Sequence, residues 1–335
     1  MSIREVAARA GVSPATVSRV FTQPRAVAAE TRRRVMTAAE ELQYAPHPAA
    51  SSLARGRTGN LGIVVPDIAN SFSATITKAV HRQARREGYA LFVAGSDEFA
   101  EDEVSSARAL AQQVDGLLLL SPRMSDEELT ALGELAPVVV VNRRLDRIPA
   151  VLTNAEEATG HAVEHLHALG HRTAVYLAGP DNYADHVRSR GFRDACIRLG
   201  IATSELGPFE ARYTAGVRAA DLVLASGATA VVAYNDEIAA GVLNRLADRG
   251  IDVPGDISVI GFDDTGLAEM VTPRLTTVRI PAAAAGTAAI EMLLDLLRGR
   301  GDEVHSPREV CGELVVRSST GPAATTAVPA RRSAP

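Results

Sequence analysis

The sequence predicts a small all-helical head joined to a larger α/β body of two similar lobes. Three observations predict it. Up to Leu42, apolar residues recur only at helical spacing. From Leu61 onward, short apolar runs alternate with amphipathic stretches. Charge divides at the same place. Residues 1–58 hold nine arginines against four glutamates, a net +5, which leaves −10 for the remainder of a chain whose formal net charge is −5. A basic segment on an acidic body is the footprint of a nucleic-acid-binding module joined to something else.

The composition suits such a chain. Its 335 residues allow two or three domains, and 46% hydrophobic with 22% charged residues is ordinary for a globular protein. The two cysteines, Cys196 and Cys311, are too few for a disulfide framework or a metal site and are expected as small buried residues. The start, MSIREVAARAG, lacks the apolar run of a signal peptide. No apolar stretch approaches the roughly 20 residues of a membrane helix, so a cytoplasmic protein with no membrane partner is expected.

In the head, Ser2 and Glu5 have capping-box spacing, and Ile3, Val6, Ala7 and Ala10 give the first helix an apolar face. Gly11 ends it, because glycine takes the left-handed conformation of a tight turn without strain. Ser13-Pro14 starts a second helix as N-cap and first residue. There Val17, Val20 and Phe21 point inward, while Pro14, Ala15, Thr16, Ser18 and Arg19 point out. A third helix runs from about Ala29 to Leu42, with Val35, Ala38, Ala39 and Leu42 inward. Helix, three-residue turn, helix is the layout of a DNA-binding helix-turn-helix. A small, polar outer face with one arginine suits close fit in a groove. The layout alone also allows a generic three-helix bundle.

The segment PHPAASSLARGRTG reads as a linker. Beyond it LGIVV, YALFVAG, GLLLL, PVVVV and AVLTN read as strands, with helices near 73–87, 99–113 and 126–134. RTAVYLAG, TAVVAY and ISVIGF continue the strand series, with helices near 184–199, 214–226 and 236–249. Continuous apolar strands alternating with helices mean parallel sheets covered on both faces. Open sheets of this kind bind ligands at the carboxyl ends of their strands. Polar residues stand there: Asp67 and Asn70, Ser96 and Asp97, Asn142 and Arg143, Asn235 and Asp236, Asp263 and Asp264. There is no GxGxxG after the first strand and no GxxxxGK[ST], which argues against dinucleotide or nucleoside triphosphate chemistry.

IREVAARAGVSPATVSRV, Thr31-Arg32-Arg33-Arg34-Val35 and Tyr44-Ala45-Pro46 closely resemble the lac-repressor family of bacterial transcription regulators. The resemblance continues through VVPDIANSF, AVEHLHALGHRTAVYLAGP, AYNDEIAAGVLNRLADRGIDVPGDISVIGFDD and TPRLTTVRIP. It implies a helix-turn-helix DNA-binding domain over 1–45, a hinge helix over 46–58 and a core over 59–318 that looks like a periplasmic sugar-binding protein. The first lobe would take about 59–153 and 282–309, the second about 154–281 and 310–318. Residues 319–335, rich in Pro, Ala and Ser, are expected to be a disordered tail.

By the same resemblance Pro14, Ala15 and Arg19 would face base edges, with Arg19 pairing a guanine. Ser13, Thr16, Ser18, Thr31, Arg55 and Arg57 would meet phosphates. Leu53, with Ala50 one turn before it, would wedge into the minor groove. Asn70, Phe72, Asp97, Asn142, Arg143, Arg188, Asn235 and Asp263 would line an effector cleft. Arginine and aspartate that bracket vicinal hydroxyls suit a sugar. Some positions depart from the family. Ala28 replaces a usual N-cap serine, His47 a usual Asn or Ser, and Ile280 and Ala282 a glutamine and a bulky group.

The expected partners are operator DNA as a pseudo-palindrome, a second copy of the chain, and a small effector such as a sugar or sugar derivative. A nucleoside or other metabolite is the alternative effector. A transport solute-binding protein would need an export signal and has no use for the head. For an enzyme the sequence offers no nucleophile–base pair, metal spacing or cofactor loop, so neither catalytic residues nor cofactors are expected. His161 and His165 have the i, i+4 spacing of a metal pair but read better as surface residues of one helix.

Overall fold

The computed structural model describes residues 2–22, 24–44, 57–300 and 306–324. They form two compact units, Met1–Asn60 with Gln113–Asp115, and Leu61–Gln112 with Gly116–Pro335.

The head contains α1 (Ile3–Ala10), α2 (Pro14–Thr22) and α3 (Ala29–Glu41), with a single 3-10 turn at Pro24–Ala26. Ser2 and Glu5 close a reciprocal capping box at the start of α1. Gly11 ends that helix at φ 67°, a left-handed conformation. Val6, Ala7, Ala10, Val17, Val20, Val35, Ala38 and Ala39 make the buried core. Phe21 and Tyr44 close its edge, ring against ring at 6.0 Å. Ala28, the N-cap of α3, supplies no side-chain hydrogen bond, as its methyl group dictates.

The body is two six-stranded sheets. The first lobe runs β1 (Asn60–Val65), α4 (Ser71–Arg86), β2 (Ala90–Gly95), α5 (Ala100–Ala111), β3 (Gly116–Leu120), α6 (Asp126–Leu135), β4 (Val138–Val141) and β5 (Ala150–Asn154). The second continues with α7 (Ala155–Ala168), β6 (Thr173–Leu177), α8 (Tyr183–Leu199), β7 (Ala202–Leu206), α9 (Tyr213–Ser226), β8 (Ala230–Ala233), α10 (Asp236–Asp248), β9 (Ser258–Asp263), α11 (Gly266–Met270) and β10 (Thr276–Arg279). The chain then returns to the first lobe as α12 (Ala282–Leu297) and β11 (Arg308–Cys311), and ends on the second as β12 (Glu313–Val315).

The sheet orders are β11-β5-β4-β3-β1-β2 and β12-β10-β9-β8-β6-β7. The register Leu61↔Gly116 through Val64↔Leu119 pairs β1 with β3 in parallel, and β12 alone in the second sheet runs antiparallel, against β10. Strands β3, β4, β8 and β9 are buried along their whole length, which explains their unbroken apolar runs. One apolar cluster reaches from Leu61 and Val139 in the first lobe to Phe192 and Ile260 in the second, through Ala155, Ile280 and Ala282 at the crossings.

Four expectations change. The third crossing falls at Gly312 rather than between 309 and 310, because β11 pairs with β5 as far as Cys311. A Cβ on Gly312 would meet Ile280 Cδ1 at 2.7 Å and both Ala158 Cβ and Arg279 O at 3.1 Å, so the passage is tight. Residues 319–324 are not a loose tail. Ser319 is fully buried, its Oγ donating to Val259 O at 2.6 Å and accepting from Thr276 N at 2.8 Å. Gly321 N donates to Ser258 Oγ at 3.1 Å, and Ala323 N donates to Leu169 O at 2.9 Å. Cys311 is exposed, while Cys196 is buried with its thiol pushed up to about 11 by burial. Ile280 and Ala282 belong to the core, 3% and 9% exposed, and line no part of the cleft floor described below.

Candidate functional site

The head presents α2 as an open face. Pro14, Ala15 and Arg19 are exposed, and Arg19 is the one long side chain among them. Ser13 Oγ accepts from Thr16 N at 3.1 Å and lies 2.9 Å from Thr16 Oγ1, so the turn is fixed by its own hydroxyls. Thr16, Ser18 and Thr31 are half-buried. Several arginines elsewhere in the head are committed within it. Arg34 donates to the carbonyls of Ala10 and Gly11, Arg9 pairs with Glu41 at 2.7 Å, and Arg33 pairs with Glu30. Such a face can enter a major groove, where a guanidinium fork matches guanine O6 and N7. Arg57 is exposed. Ala50, Leu53 and Arg55 lie outside the described residues.

In the body the carboxyl ends of both sheets meet at a cleft. Its floor is lined by Asn70, Phe72, Ser121 and Asn142 from the first lobe, and by Asn182, Arg188, Tyr234, Asn235 and Asp263 from the second. Helix starts position several of them. Asn70 caps α4, accepting from Phe72 N at 3.0 Å and Ser73 N at 3.2 Å. Its Nδ2 reaches across to Glu237 Oε1 at 3.1 Å. Asn235 caps α10 through Ile238 N at 2.9 Å and donates to Ala211 O at 3.2 Å. Asn142, at the end of β4, accepts from Thr153 Oγ1 at 2.9 Å.

Arg188, on α8, is the fixed cation of the floor. It donates from Nη1 to Tyr234 O at 2.6 Å and from Nη2 to Asp263 Oδ1 at 3.1 Å. The guanidinium carbon lies 3.8 Å from the Phe262 ring centre and 4.5 Å from that of Tyr234, which favours its charge. Burial opposes that charge, yet Asp263 and the tyrosines hold the guanidinium above its ordinary pKa. Burial pushes the Asp263 carboxyl up, and Arg188 pulls it back. Arg188 Nε is buried with no hydrogen-bond partner among the described residues, a donor left over for a ligand.

Backbone strain gathers here. Six of the eight described non-glycine residues with positive φ (Asp97, Glu98, Ser121, Asn142, Asp263 and Asp264) stand at or just after the ends of strands β2, β3, β4 and β9. Asp263 stands at φ 99°, outside the usual left-handed well. Strain of this kind persists where surroundings over-determine a functional geometry.

Six of the eight cleft residues expected from sequence come together on the floor: Asn70, Phe72, Asn142, Arg188, Asn235 and Asp263. Asp97 is exposed and lines an outer chamber instead. Arg143 lines neither chamber. It is held by Asp126 Oδ1 at 2.6 Å and Pro122 O at 3.3 Å. Sequence reasoning missed Ser121, Asn182 and Tyr234. Asn182 follows β6 and caps α8 through Asp185 N at 2.9 Å, a signal the other strand ends share. Tyr234 directly follows β8 and continues its apolar run, which hid it.

His165 Nε2 lies 3.0 Å from Thr320 Oγ1, and His161 is exposed. Among the described residues no cluster of three or more His, Cys, Asp or Glu could hold a metal ion.

Comparison with known proteins adds the following. The profile "Bacterial regulatory proteins, lacI family" matches residues 2–47, and that of a periplasmic binding protein-like domain matches 163–320. The HTH-type transcriptional repressor PurR of Vibrio campbellii is 34% identical over 330 residues, covering 95% of this chain and 98% of its own. The lac repressor dimer bound to operator and the anti-inducer ONPF superposes with a TM-score of 0.85 at 29% identity, over 96% of this chain and 99% of that one. The transcriptional regulator CelR in complex with cellobiose gives a TM-score of 0.70 at 30% identity, over 95% and 99%.

Proposed function

This chain belongs to the lacI family of bacterial regulatory proteins, and from that premise we propose that it represses carbohydrate-utilisation genes under the control of a sugar-like effector. It is a ligand-responsive, DNA-binding transcription regulator rather than an enzyme. In this reading two heads bind a pseudo-palindromic operator, with Arg19, Pro14 and Ala15 toward the bases and Ser13, Thr16, Ser18 and Thr31 toward phosphates. The effector sits on the cleft floor. It moves DNA affinity only through its different affinity for the two lobe arrangements. The protein acts in the cytoplasm, where its operator lies.

The observation that carries the sugar reading is the floor itself. Arg188 with a spare Nε donor, the Asp263 carboxylate and four asparagines surround Phe72 and Tyr234. Fixed donors and acceptors around a ring face fit vicinal hydroxyls on a pyranose or furanose. A purine base or nucleoside is the second reading, favoured by the similarity to PurR. A thermal-shift screen with monosaccharides, disaccharides and nucleosides, followed by operator gel shifts with each hit, tests both. Failure to bind any operator overturns the regulator, and stabilisation by nucleosides alone overturns the sugar.

The homodimer rests on β2. This edge strand of the first sheet exposes Phe92 at 43% and Val93 at 42% in mid-strand. An apolar open edge is a template for a second chain, and natural monomers avoid it. The lac repressor structure that this chain resembles is itself a dimer.

A further inference from the structure

A single carboxylate holds the point where the chain enters the body. Thr58 and Gly59 directly precede β1, and the linker expected from sequence lies before them. Half-buried Asp115 takes them both. Its Oδ1 accepts from Thr58 N at 2.5 Å and from Thr58 Oγ1 at 2.8 Å, and its Oδ2 accepts from Gly59 N at 2.9 Å. Successive backbone N–H groups that converge on an anion form a nest, and here the anion is a side chain of the same protein. The surrounding turn locks it. Thr58 Oγ1 also accepts from Asn60 N at 3.1 Å. Asp115 N donates to Asn60 O at 2.8 Å, and Asn60 Nδ2 donates to Gln113 O at 3.3 Å.

Asp115 leads straight into a rigid element. Strand β3 begins at the next residue, and its residues 117–120 are at most 3% exposed. It pairs with β1 on one side and β4 on the other, so ladders on both edges hold it. The carboxylate therefore ties Thr58 to the interior of the first sheet.

We propose that Asp115 is a positioning residue for operator binding: it fixes where the linker leaves the body, and so sets the half-site spacing that a pair of heads accepts. The proposal rests on the dimer reading above. Two heads on one palindrome are linked binding modules, and the effective concentration of the second head depends on the reach of its linker. An extended residue spans up to about 3.6 Å, so releasing Thr58 and Gly59 adds about 7 Å of reach per copy. Base pairs rise about 3.4 Å each, which makes that reach worth roughly two base pairs. An anchored exit discriminates between spacings of this order, and a released exit tolerates them. Asp115 acts through Thr58 and Gly59, so one head on one half-site does not depend on it.

The test is gel-shift titration of the full-length protein on four duplexes. These are a palindromic operator selected from a random library, the same operator with two base pairs inserted or deleted between its halves, and a single half-site. The parent should bind the selected spacing at least about tenfold tighter than either altered one. Asp115→Ala should cut that ratio at least about threefold, with half-site affinity unchanged. Asp115→Asn keeps the shape and one acceptor oxygen, but its amide nitrogen cannot accept from Gly59 N, so its ratio should fall between. A misfolded fraction would lower binding to all four duplexes alike and leave the ratio as it was. A ratio unchanged in both variants overturns the proposal and leaves the dimer standing, as does a dimeric parent indifferent to spacing. A parent that sediments as a monomer overturns the dimer reading and the proposal together.

Discussion

Arg188 and Asp263 meet at 3.1 Å on the cleft floor, with their side chains only 5% and 7% exposed. A buried pair of this kind is far more sensitive to losing one partner than to losing both. Arg188→Leu leaves the carboxylate uncompensated and should cost about 3–5 kcal/mol in urea unfolding. Adding Asp263→Asn should restore part of that loss. A double variant no more stable than Arg188→Leu would show that the pair is not the source of the penalty.

Asp236 sets a pH dependence. It is buried at the start of α10 and accepts from Thr277 Oγ1 at 2.6 Å, Thr265 N at 2.7 Å and Thr265 Oγ1 at 3.0 Å. Burial and the nearby Asp263 push its carboxyl from 3.8 up to about 7, against the pull of those hydrogen bonds. The folded chain therefore holds this proton more tightly than the unfolded one. The contribution is most favourable below about pH 4, declines as pH rises and is fully lost above about pH 7. In Asp236→Asn the amide can donate to Thr277 Oγ1 and still accept from Thr265. Its melting temperature should fall less steeply than the parent's between about pH 5 and 8. Parallel curves would refute the assignment.

Helix α3 begins without a side-chain cap, because Ala28 has no acceptor. Its φ of −52° and ψ of 137° lie in an extended region that serine also adopts. Ala28→Ser should raise the stability of the head by about 1 kcal/mol, read from thermal melts of the full chain. An unchanged head transition would mean that another group already satisfies the first turn.

Arg19 tests the reading face. Arg19→Ala should weaken operator binding by about 1–3 kcal/mol and relax specificity at one base position. Gel shifts against single-base operator variants measure both. Equal affinity of mutant and parent for every variant would remove Arg19 from base readout.

Phe92→Lys tests the edge of β2. A charge in the middle of an open strand blocks pairing. Sedimentation should show a shift from dimer toward monomer, and binding to a palindromic operator should fall more than binding to a half-site. A dimer of undiminished stability would place the interface elsewhere.

Much of this architecture is legible in the chain because parallel strands covered on both faces are written as unbroken apolar runs, as in β3 and β4. Helix starts are legible for a similar reason. Asn70 and Asn235 must carry a short acceptor where a strand gives way to a helix, and both also line the cleft. Strand β7 was not legible. It lies at a sheet edge, exposed over Ala202–Glu205, and carries no apolar signature. The two arginines at candidate positions differ only in distant partners. Arg188 finds Asp263 and Arg143 finds Asp126, and no local pattern distinguishes them. The last residues mislead through composition. Ser319 and Gly321 are small and polar, but a hydroxyl and a backbone N–H complete hydrogen bonds offered by Val259, Thr276 and Ser258.

The three crossings impose an order of events on synthesis. A chain emerging from the ribosome has made β5 by Asn154, yet its first sheet lacks β11 until Cys311 is free. Helix α4 likewise waits for α12, whose Gly286 packs so closely that a Cβ there would meet Ile76 O at 2.8 Å. The second sheet waits for β12 and Ser319. Both lobes are thus finished within a few residues of one another, only once Ser319 has emerged. Neither lobe is a contiguous gene segment. A nascent chain stalled before residue 308 holds two incomplete sheets, so a nonsense codon there should yield a substrate for proteolysis rather than a working half.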